Sequence, residues 1–273
     1  MKGPTIDILI YHDVCSTTEQ IKLCSNPRYT TPLQKLEYHL DWLCRSEFRA
    51  IRLGEWLDAR LEGRRWQGKH VLLTFDGPHT GWFEHVIPLL VRLEFPATFF
   101  VIAGWVGPQH RFPESRHLTW DNIGQIEELK DRSGRQLFDV GSHSMWHTTL
   151  DMQGSENELT YRKRLDEEIV KACSLIRKQT GFPVRSYATP EGRGDRDVLN
   201  NIFKSAGIQA VRWASFNGPK NRYHKDLFDL QTSYCDTTEQ SFDQMAGLLS
   251  RKPPGFLKKL VWRVISRIRR IGN

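Results

Sequence analysis

The feature that most constrains the fold of this sequence is the alternation of short apolar, β-rich runs with longer amphipathic stretches. The run Ile6–Tyr11 predicts a buried strand, and Pro32–Glu47 predicts a helix because its leucines recur at helical spacing. This alternation predicts a parallel sheet covered by helices, either open or closed into a barrel. The other predicted helices are Leu53–Leu61, Gly81–Leu93, Thr119–Asp131, Glu156–Thr180, Asp195–Ala206 and Thr238–Leu249. The other predicted strands are Val71–Phe75, Ala97–Ala103, Leu137–Val140, Ser186–Ala188, Gln209–Trp213 and Leu227–Gln231.

The length of 273 residues suits one α/β barrel domain, which we place at residues 1–250. No apolar run approaches the roughly 20 residues that a transmembrane helix requires. The N-terminal segment lacks the apolar core of a signal peptide, because Asp7, His12 and Asp13 interrupt its short apolar run. The five cysteines have irregular spacing and no Cys-x-x-Cys pair, which disfavours a disulfide framework and a zinc knuckle. These features predict a cytoplasmic protein.

The excess positive charge of the chain lies at its C-terminus. Residues 251–273 hold eight Lys and Arg residues and no acidic residue, while the first 250 residues hold 31 basic and 32 acidic residues. A neutral body disfavours a broad basic groove for nucleic acid. The charge distribution favours instead a tail that meets an anionic surface.

The C-terminal tail, residues 251–273, has the pattern of a basic amphipathic helix. Pro253, Pro254 and Gly255 break the chain, and Phe256–Ile271 then places its aliphatic residues on one helical stripe with most basic residues off it. We predict that this helix binds anionic membranes and places the protein at the inner face of the plasma membrane. The alternative is an ordinary surface helix that packs on the barrel with a solvated charged face.

Polar residues follow several of the predicted strands. In parallel α/β folds the functional site lies at the carboxyl ends of the strands, so these residues are the first candidates. They are His12 and Asp13 after the first strand, Asp76 after Val71–Phe75, His143 and His147 after Leu137–Val140, and Thr189 and Pro190 after Ser186–Ala188.

The pair His143 and His147 is the sharpest local pattern. A spacing of four residues puts two imidazoles on one face of a helical turn, and neutral imidazoles suit Zn, Co or Ni, with a carboxylate usually completing the site. Two unrelated histidines remain an alternative, because the chain contains ten. Asp76 is a candidate general base, and the alternative is that it caps the helix that follows.

Five segments resemble the motifs of a known family. They are ILIYHD at Ile8–Asp13, LTFDGP at Leu73–Pro78, FPATFFV at Phe95–Val101, GSHSMWH at Gly141–His147 and YATPEG at Tyr187–Gly192. In this order they resemble the polysaccharide deacetylases (NodB homology, carbohydrate esterase family 4), and the first is similar to the branch that acts in exopolysaccharide assembly. The resemblance runs from Ile6 to Phe242.

The resemblance implies a distorted (β/α)7 barrel and a metal-dependent hydrolase that removes N-acetyl groups from amino sugars. By position, Asp76 matches the catalytic base of the family, and His143 and His147 match its two metal-binding histidines. The segment Thr189–Pro190 matches the motif that shapes the substrate groove. Such chemistry needs a metal to polarise the acetyl carbonyl, a base for the attacking water and backbone N–H groups for the oxyanion.

The sequence departs from the family motif at Gly77, which stands where the family has a metal-binding Asp. Three outcomes are open. The site binds a divalent metal weakly with extra water, or a nearby group such as Asp13, His12 or His79 replaces the carboxylate, or the site is metal-free and inactive.

A second departure is the absence of a recognisable late motif for the catalytic acid. His224 is the only histidine after Pro190, and it is either this acid or a loop residue. Among the tryptophans, Trp146 lies between the two site histidines and is the candidate wall of a sugar-binding groove, with a place in the core as the alternative.

The sequence therefore predicts an N-deacetylase that acts on a polysaccharide or a lipid-linked amino sugar. The alternative is a catalytically degenerate barrel that binds glycan or a partner enzyme, and Gly77 is the reason to retain it. Nucleic-acid binding through the tail is disfavoured by the neutral body.

Overall fold

A computed structural model describes residues 4–21, 27–64, 66–107, 117–154, 156–214, 221–223 and 225–236. Three predictions fall outside the described residues. They are the helix Thr238–Leu249, the amphipathic tail at residues 251–273 and the placement of His224.

The described residues form strands and helices that largely alternate. The strands are β1 (Thr5–Tyr11), β2 (Asp13–Cys15), β3 (Thr30–Pro32), β4 (Arg49–Ala50), β5 (Lys69–Gly77), β6 (Ala97–Val101), β7 (Phe138–Ser142), β8 (Ser186–Ala188), β9 (Ala210–Trp213), β10 (Asn221–Arg222), β11 (Leu230–Gln231) and β12 (Tyr234–Cys235). The helices are α1 (Thr18–Ile21), α2 (Leu33–Arg45), α3 (Leu53–Leu61), α4 (Ile87–Leu93), α5 (Trp120–Glu128), α6 (Glu158–Leu165), α7 (Ala172–Thr180) and α8 (Arg196–Ser205).

Seven parallel strands form the central sheet in the order β1, β5, β6, β7, β8, β9, β11. Strand β12 follows β11 after only Thr232 and Ser233, and it pairs in parallel with β1 at the other side of the sheet. The short segment from β11 to β12 thus brings the two edges together and nearly closes a barrel. The predicted (β/α)7-type barrel is confirmed.

The central strands are buried on both faces, as is usual when helices cover a parallel sheet. All five residues of β6 and all of β5 after Lys69 are buried. Successive side chains of a strand point to opposite faces, so residues two apart share a face. Leu72 and Phe100 belong to one apolar cluster together with Ala210, and this cluster fills one end of the barrel interior. Asp76 shares the face of Leu72, and Arg212 shares the face of Ala210, so both polar side chains point into the barrel.

Two of the predicted helices contain π-helical turns. The helix predicted at Gly81–Leu93 is a π-helical segment at Trp82–Val86 followed by α4, in which Pro88 lies in the first turn. Proline lacks the N–H of the regular ladder and crowds the preceding turn, which favours this wider start. The helix predicted at Glu156–Thr180 is α6 and α7 joined by a π-helical segment at Asp166–Lys171.

The strand predicted at Leu227–Gln231 is shorter, because the side chain of Asp226 accepts a hydrogen bond from Phe228 N and holds a turn there. Thr119 is the N-cap of α5, since its side chain accepts from Asn122 N and the side chain of Asn122 accepts from Thr119 N. In the described part of the chain, no helix combines the length and the apolar character that a membrane crossing needs.

Candidate active site at the carboxyl ends of the strands

The site lies where β1, β5, β7, β8 and β9 end. Tyr11 of β1 is in register with Phe75 of β5, so His12 and Asp76 are the next residues on two neighbouring strands. Tyr187 of β8 pairs with Ser142 at the end of β7, directly before His143. The parallel register therefore brings three of the motifs to one edge of the sheet.

Asp76 forms a buried ion pair with Arg212 of β9. The Arg212 Nη2 atom donates to both carboxylate oxygens of Asp76, at 2.5 and 2.6 Å, and both side chains are almost fully buried. The guanidinium carbon of Arg212 lies 5.2 Å from the centre of the Phe100 ring. Burial alone would raise the pKa of Asp76, but the charge of Arg212, together with that of His12, lowers it below its usual value. Asp76 is therefore an ionised carboxylate at neutral pH.

His143 and His147 come together, as their spacing predicted. Their ring centres are 4.7 Å apart, and His143 Nε2 lies 3.5 Å from Asp76 Oδ2. His143 Nδ1 donates to the carbonyl of Ala188 at 2.9 Å, which leaves the lone pair of the ring on Nε2. Burial lowers the pKa of His143 to about 3 and also lowers that of His147. Both rings are neutral at physiological pH, as metal-binding imidazoles must be.

The two histidines do not meet through a helical turn, as the spacing argument assumed. Their segment is irregular, and Ser144 and His147 have positive φ angles of 75° and 61°. His147 N donates to Ser144 Oγ at 2.8 Å, and Ala103 N donates to Ser144 O at 3.0 Å. Such backbone angles cost free energy for residues other than glycine, so the surrounding contacts must hold them in place.

Glu168 anchors the same loop from behind. It lies in the π-helical segment, its side chain is buried, and Oε2 accepts a hydrogen bond from Trp146 N at 3.0 Å. The ring of Trp146 lies directly over Gly104, where an added Cβ would come within 2.5 Å of two ring atoms. Trp146 is 40% exposed, which leaves one part of its ring available to a ligand beside the two histidines.

His12 is paired with Asp236, which follows β12. His12 Nδ1 lies 2.8 Å from Asp236 Oδ1, and His12 N donates to Asp236 Oδ2 at 3.1 Å. Thr31 Oγ1 donates to the same Oδ2 at 2.8 Å. Burial would lower the pKa of His12, but the charge of Asp236 and its hydrogen bond raise the pKa above the usual value. This pair can therefore hold a protonated imidazole near neutral pH.

Neighbouring rings fill the space beside Gly77. A Cβ added at Gly77 would lie 2.5 Å from Trp82 Cζ2, 2.7 Å from His79 Cδ2 and 2.8 Å from His79 N. Trp82 is fully buried, and its Nε1 donates to the carbonyl of His12 at 2.9 Å. A carboxylate at position 77 thus has no room unless both rings move.

Asp13 accepts a hydrogen bond from Val14 N at 2.8 Å, and its carboxylate packs against Gly81. In the described ranges, the group of three metal-binding side chains whose ligand atoms all lie within 4.8 Å of one another is His12, Cys235 and Asp236. Of the four predicted metal residues, His143 and His147 lie together, His12 pairs with Asp236 through Nδ1, and Asp13 accepts from Val14 N.

A divalent metal fits the donor atoms of His143 and His147. Both rings are neutral, and His143 presents Nε2 while its Nδ1 is fixed by a backbone carbonyl, which is the usual arrangement of a metal-binding histidine. Residue 77, where the family resemblance leads us to expect a carboxylate, is glycine, and its surroundings are filled.

Thr189 and Pro190, the predicted substrate-binding residues, are both buried at the end of β8. Thr189 N donates to the carbonyl of Arg212 at 3.0 Å, and proline has no N–H, so neither backbone supplies a free donor. The hydrogen bond of Thr189 joins the end of β8 to β9.

Sequence reasoning missed Arg212 and Asp236. Arg212 had a detectable signal, because it is a charged residue in the middle of the apolar run Gln209–Trp213. Asp236 had none, because it is 224 residues from His12 and no local pattern links the two.

The chain matches the family model of the polysaccharide deacetylases over residues 63–211. It is 24% identical over 196 residues to a poly-beta-1,6-N-acetyl-D-glucosamine N-deacetylase of Staphylococcus aureus, covering 71% of this chain and 62% of that protein. It is 27% identical over 150 residues to a chitooligosaccharide deacetylase of Rhizobium leguminosarum bv. trifolii, covering 54% of this chain and 57% of that protein. The chain thus spans about three-fifths of the length of these relatives.

Solved structures share the fold. A de-N-acetylase from Aggregatibacter actinomycetemcomitans superposes with a TM-score of 0.72 at 20% identity, over 89% of this chain and 98% of that one. IcaB from Ammonifex degensii superposes with a TM-score of 0.69 at 23% identity, over 90% of this chain and 98% of that one.

Proposed function

We propose that this chain, which belongs to the polysaccharide deacetylase family, is a hydrolase that removes N-acetyl groups from the amino sugars of a polysaccharide or a lipid-linked glycan intermediate. The similarity to relatives named as N-deacetylases of N-acetylglucosamine polymers and chitooligosaccharides supports this substrate class.

The observation that carries the proposal is a pair of titratable groups at neighbouring strand ends with opposite pKa shifts. The pKa of Asp76 is lowered, mainly by Arg212 against the effect of burial, and the pKa of His12 is raised by Asp236. When the surroundings push the pKa values of two neighbouring groups apart, the group with the lowered pKa is ionised and can accept a proton. The group with the raised pKa stays protonated and can donate one. Amide hydrolysis needs both, since a water must lose a proton and the amine must gain one.

In the proposed reaction, Asp76 accepts a proton from the water that attacks the acetyl carbonyl carbon. The C–N bond then breaks as the imidazolium of His12 donates its proton to the departing nitrogen. The products are acetate and the free amino sugar, and the protein returns to its starting state by moving one proton from Asp76 to His12 through solvent. His12 takes the role that the sequence assigned to His224.

Arg212 positions the base. Its two hydrogen bonds to Asp76 fix the carboxylate plane inside the barrel, and its charge compensates the burial of that carboxylate. The ion pair keeps Asp76 ionised, and it also makes this carboxylate a weaker base.

A divalent metal, Zn, Co or Ni, would be held by His143 and His147. Bound there, the ion supplies a Lewis acid for the acetyl carbonyl beside Asp76. The exposed part of Trp146 offers an apolar face on which a sugar ring can stack.

The test is release of acetate from β-1,6- and β-1,4-linked N-acetylglucosamine oligomers by the purified chain, with Zn²⁺, Co²⁺ or Ni²⁺ added. We expect release from at least one oligomer, and loss of release in Asp76→Asn and His12→Phe. Binding of the oligomers without any release, under every metal, would instead support the catalytically degenerate barrel, for which the glycine at position 77 is the supporting observation.

We propose further that the chain is cytoplasmic and peripheral to the membrane. The supporting observation is the basic tail at residues 251–273, with eight basic residues and no acidic one. The test compares sedimentation of the full chain and of a chain ending at Ser250 with anionic liposomes. We expect the tail to be required and salt to weaken binding, and equal sedimentation of the two chains would refute it.

A further inference from the structure

We propose that His12, Cys235 and Asp236 form a second metal-binding site, which takes a thiophilic divalent cation such as Zn²⁺ or Cd²⁺ and inhibits the enzyme when it is filled. This site is separate from the pair of His143 and His147. The inhibition rests on the proposed function, because it acts through His12 as the acid, whereas the binding of the cation does not.

The register of two parallel strands brings the three ligands together. His12 directly follows β1, Cys235 ends β12, and Asp236 is the next residue. Cys235 is paired with Ile10 of β1, and Asp236 N donates to the carbonyl of Ile10 at 3.1 Å. An imidazole, a thiol and a carboxylate from distant parts of the sequence therefore meet at the carboxyl edge of the barrel.

The distances within this cluster suit a small cation. Asp236 Oδ1 lies 2.8 Å from His12 Nδ1 and 3.8 Å from Cys235 Sγ, and donor atoms of all three residues lie within 4.8 Å of one another. A tetrahedral zinc ion with its usual bond lengths holds its ligand atoms about 3.4–3.6 Å apart. The thiol and the carboxylate are already close to that spacing, and the imidazole has to move away from Oδ1 by about 0.6 Å.

The second oxygen of Asp236 is held by other groups. Oδ2 accepts hydrogen bonds from Thr31 Oγ1 at 2.8 Å and from His12 N at 3.1 Å, which leaves Oδ1 facing the other two ligands. Metal-binding carboxylates are commonly oriented by hydrogen bonds of this kind. The side chains of Cys235 and Asp236 are buried and that of His12 is partly exposed, so a cation reaches the cluster from the side of His12.

The mixture of donor atoms selects the class of cation. A thiolate and an imidazole suit Zn²⁺ and its heavier analogue Cd²⁺, whereas Mg²⁺ and Ca²⁺ prefer sites made of oxygen atoms alone. Three protein ligands leave a fourth position for water. The pair of His143 and His147 has no sulfur, so a sulfur ligand distinguishes the second site from the first.

Binding of the cation removes the proton that His12 needs as an acid. Two protons pass to solvent, one from the Cys235 thiol and one from His12 Nδ1, and the ion bonds to Sγ, Nδ1 and Asp236 Oδ1. The ring of His12 then carries a proton on Nε2 alone and is no longer an imidazolium. The departing nitrogen of the proposed reaction therefore lacks its proton donor while the site is filled.

The first experiment titrates the full, reduced chain with Cd²⁺ and records the thiolate-to-metal charge-transfer absorption, which reports only sulfur-bound ions. Cys15→Ser is the matched control for Cys235→Ser, because Cys15 is also buried and its Sγ donates to the carbonyl of Thr17. We expect the absorption in wild type and in Cys15→Ser and its loss in Cys235→Ser. Absorption that persists in Cys235→Ser, or none in wild type, overturns the proposal.

A second measurement uses the unmutated protein, so that it does not depend on the folding of a variant. X-ray absorption of the chain with one equivalent of Cd²⁺ is expected to show a sulfur atom together with nitrogen or oxygen atoms around the ion. A coordination shell without sulfur would overturn the proposal.

The third experiment follows acetate release as Zn²⁺ is raised, with the rates of each variant normalised to its own maximum. Wild type and Cys15→Ser should lose activity at high Zn²⁺, and Cys235→Ser should need at least tenfold more Zn²⁺ for the same loss, since even changes behind the ligands cost about 10–100-fold in affinity. An equal Zn²⁺ dependence in all three chains overturns the inhibitory role. A chain that shows the charge-transfer absorption but releases no acetate at any Zn²⁺ concentration refutes the proposed function and leaves the metal site standing.

Discussion

Two Asp–Arg pairs lie at opposite ends of the barrel, one almost fully buried and the other partly buried, and they behave differently. At the carboxyl end, Asp76 is bound by Arg212 and its pKa is lowered. At the amino end, Asp139 of β7 is bound by Arg52 at 2.7 Å, yet its pKa is raised.

The partners of the two carboxylates explain the difference. Asp139 lies beside the N-terminus of α3, where Gly54 N donates to it at 2.6 Å, but burial outweighs these contacts. Asp76 has the charge of His12 in addition to that of Arg212, which donates to both of its carboxylate oxygens. The amino-end pair joins a helix to the sheet, whereas the carboxyl-end pair holds an ionised base among histidines. An Asp–Arg pair is thus a functional feature only when the surrounding groups can also exchange protons or bind a metal.

Removing the charge of each carboxylate is the most direct test of the difference between the two pairs. Asp76→Asn is expected to lower the rate of acetate release by about 10²–10⁴-fold, the usual contribution of a general base. Asp139→Asn is expected to leave kcat unchanged and to lower the free energy of unfolding by about 1–3 kcal/mol. Kinetics and urea denaturation of both variants measure these effects. A similar loss of rate in the two variants would show that the ends of the barrel do not differ in this way.

Removing the cation at the carboxyl end is the next largest change. Arg212→Met leaves Asp76 buried without its partner, which costs about 3–5 kcal/mol in comparable pairs. The pKa of Asp76 should rise in this variant, so the acidic limb of the pH–rate profile should move to higher pH. Denaturation and a pH–rate profile together measure this. The conservative Arg212→Lys is the control, and an unmoved acidic limb in Arg212→Met would contradict the assigned role.

The free energy of unfolding should depend on pH through Glu127, which lies at the amino end of the barrel. This side chain borders a cavity of about 430 Å³ together with Arg52 and Asp139, and burial raises its pKa from 4.5 to about 7. The folded state therefore holds the proton more tightly than the unfolded chain does. The free energy of unfolding should fall as the pH rises from about 4.5 to about 7, by up to about 3 kcal/mol.

The matched pair Glu127→Gln and Glu128→Gln tests this, because Glu128 is the exposed neighbour on the same helix. Only Glu127→Gln should flatten the dependence of unfolding on pH across this range. If Glu128→Gln flattens it equally, the titrating group is not the buried one.

The smallest expected effect concerns the rim of the site. Trp146→Ala should raise KM for a glycan oligomer several-fold, on the order of 1 kcal/mol, because an aromatic face for the sugar ring is lost. Leu61→Ala, at an exposed residue of α3 on the amino side, should leave KM unchanged. Steady-state kinetics measure both variants, and an unchanged KM in Trp146→Ala would remove this residue from the groove.

The order of the main strands and helices and the position of the site along the chain could be predicted from the sequence, but the short strands β2, β3, β4, β10 and β12 were missed. Apolar runs such as Ile6–Tyr11 predict strands because their burial is a local property of the side chains. The motif around Asp76 and the pair His143 and His147 could be found in the same way, since each group lies within a few residues at a strand end. The family resemblance then identified the chemistry that these groups serve.

Which groups act together depends on contacts between distant parts of the chain. Arg212 binds Asp76 from 136 residues away, and Asp236 binds His12 from 224 residues away. Both contacts are possible because the barrel is nearly closed, which brings β9 across from β5 and β12 beside β1. The pKa shifts follow from those contacts and from burial, which are properties of the assembled site and of no single segment. The overlap of His79 with the space beside Gly77 likewise depends on side-chain packing, which residue identities alone do not define.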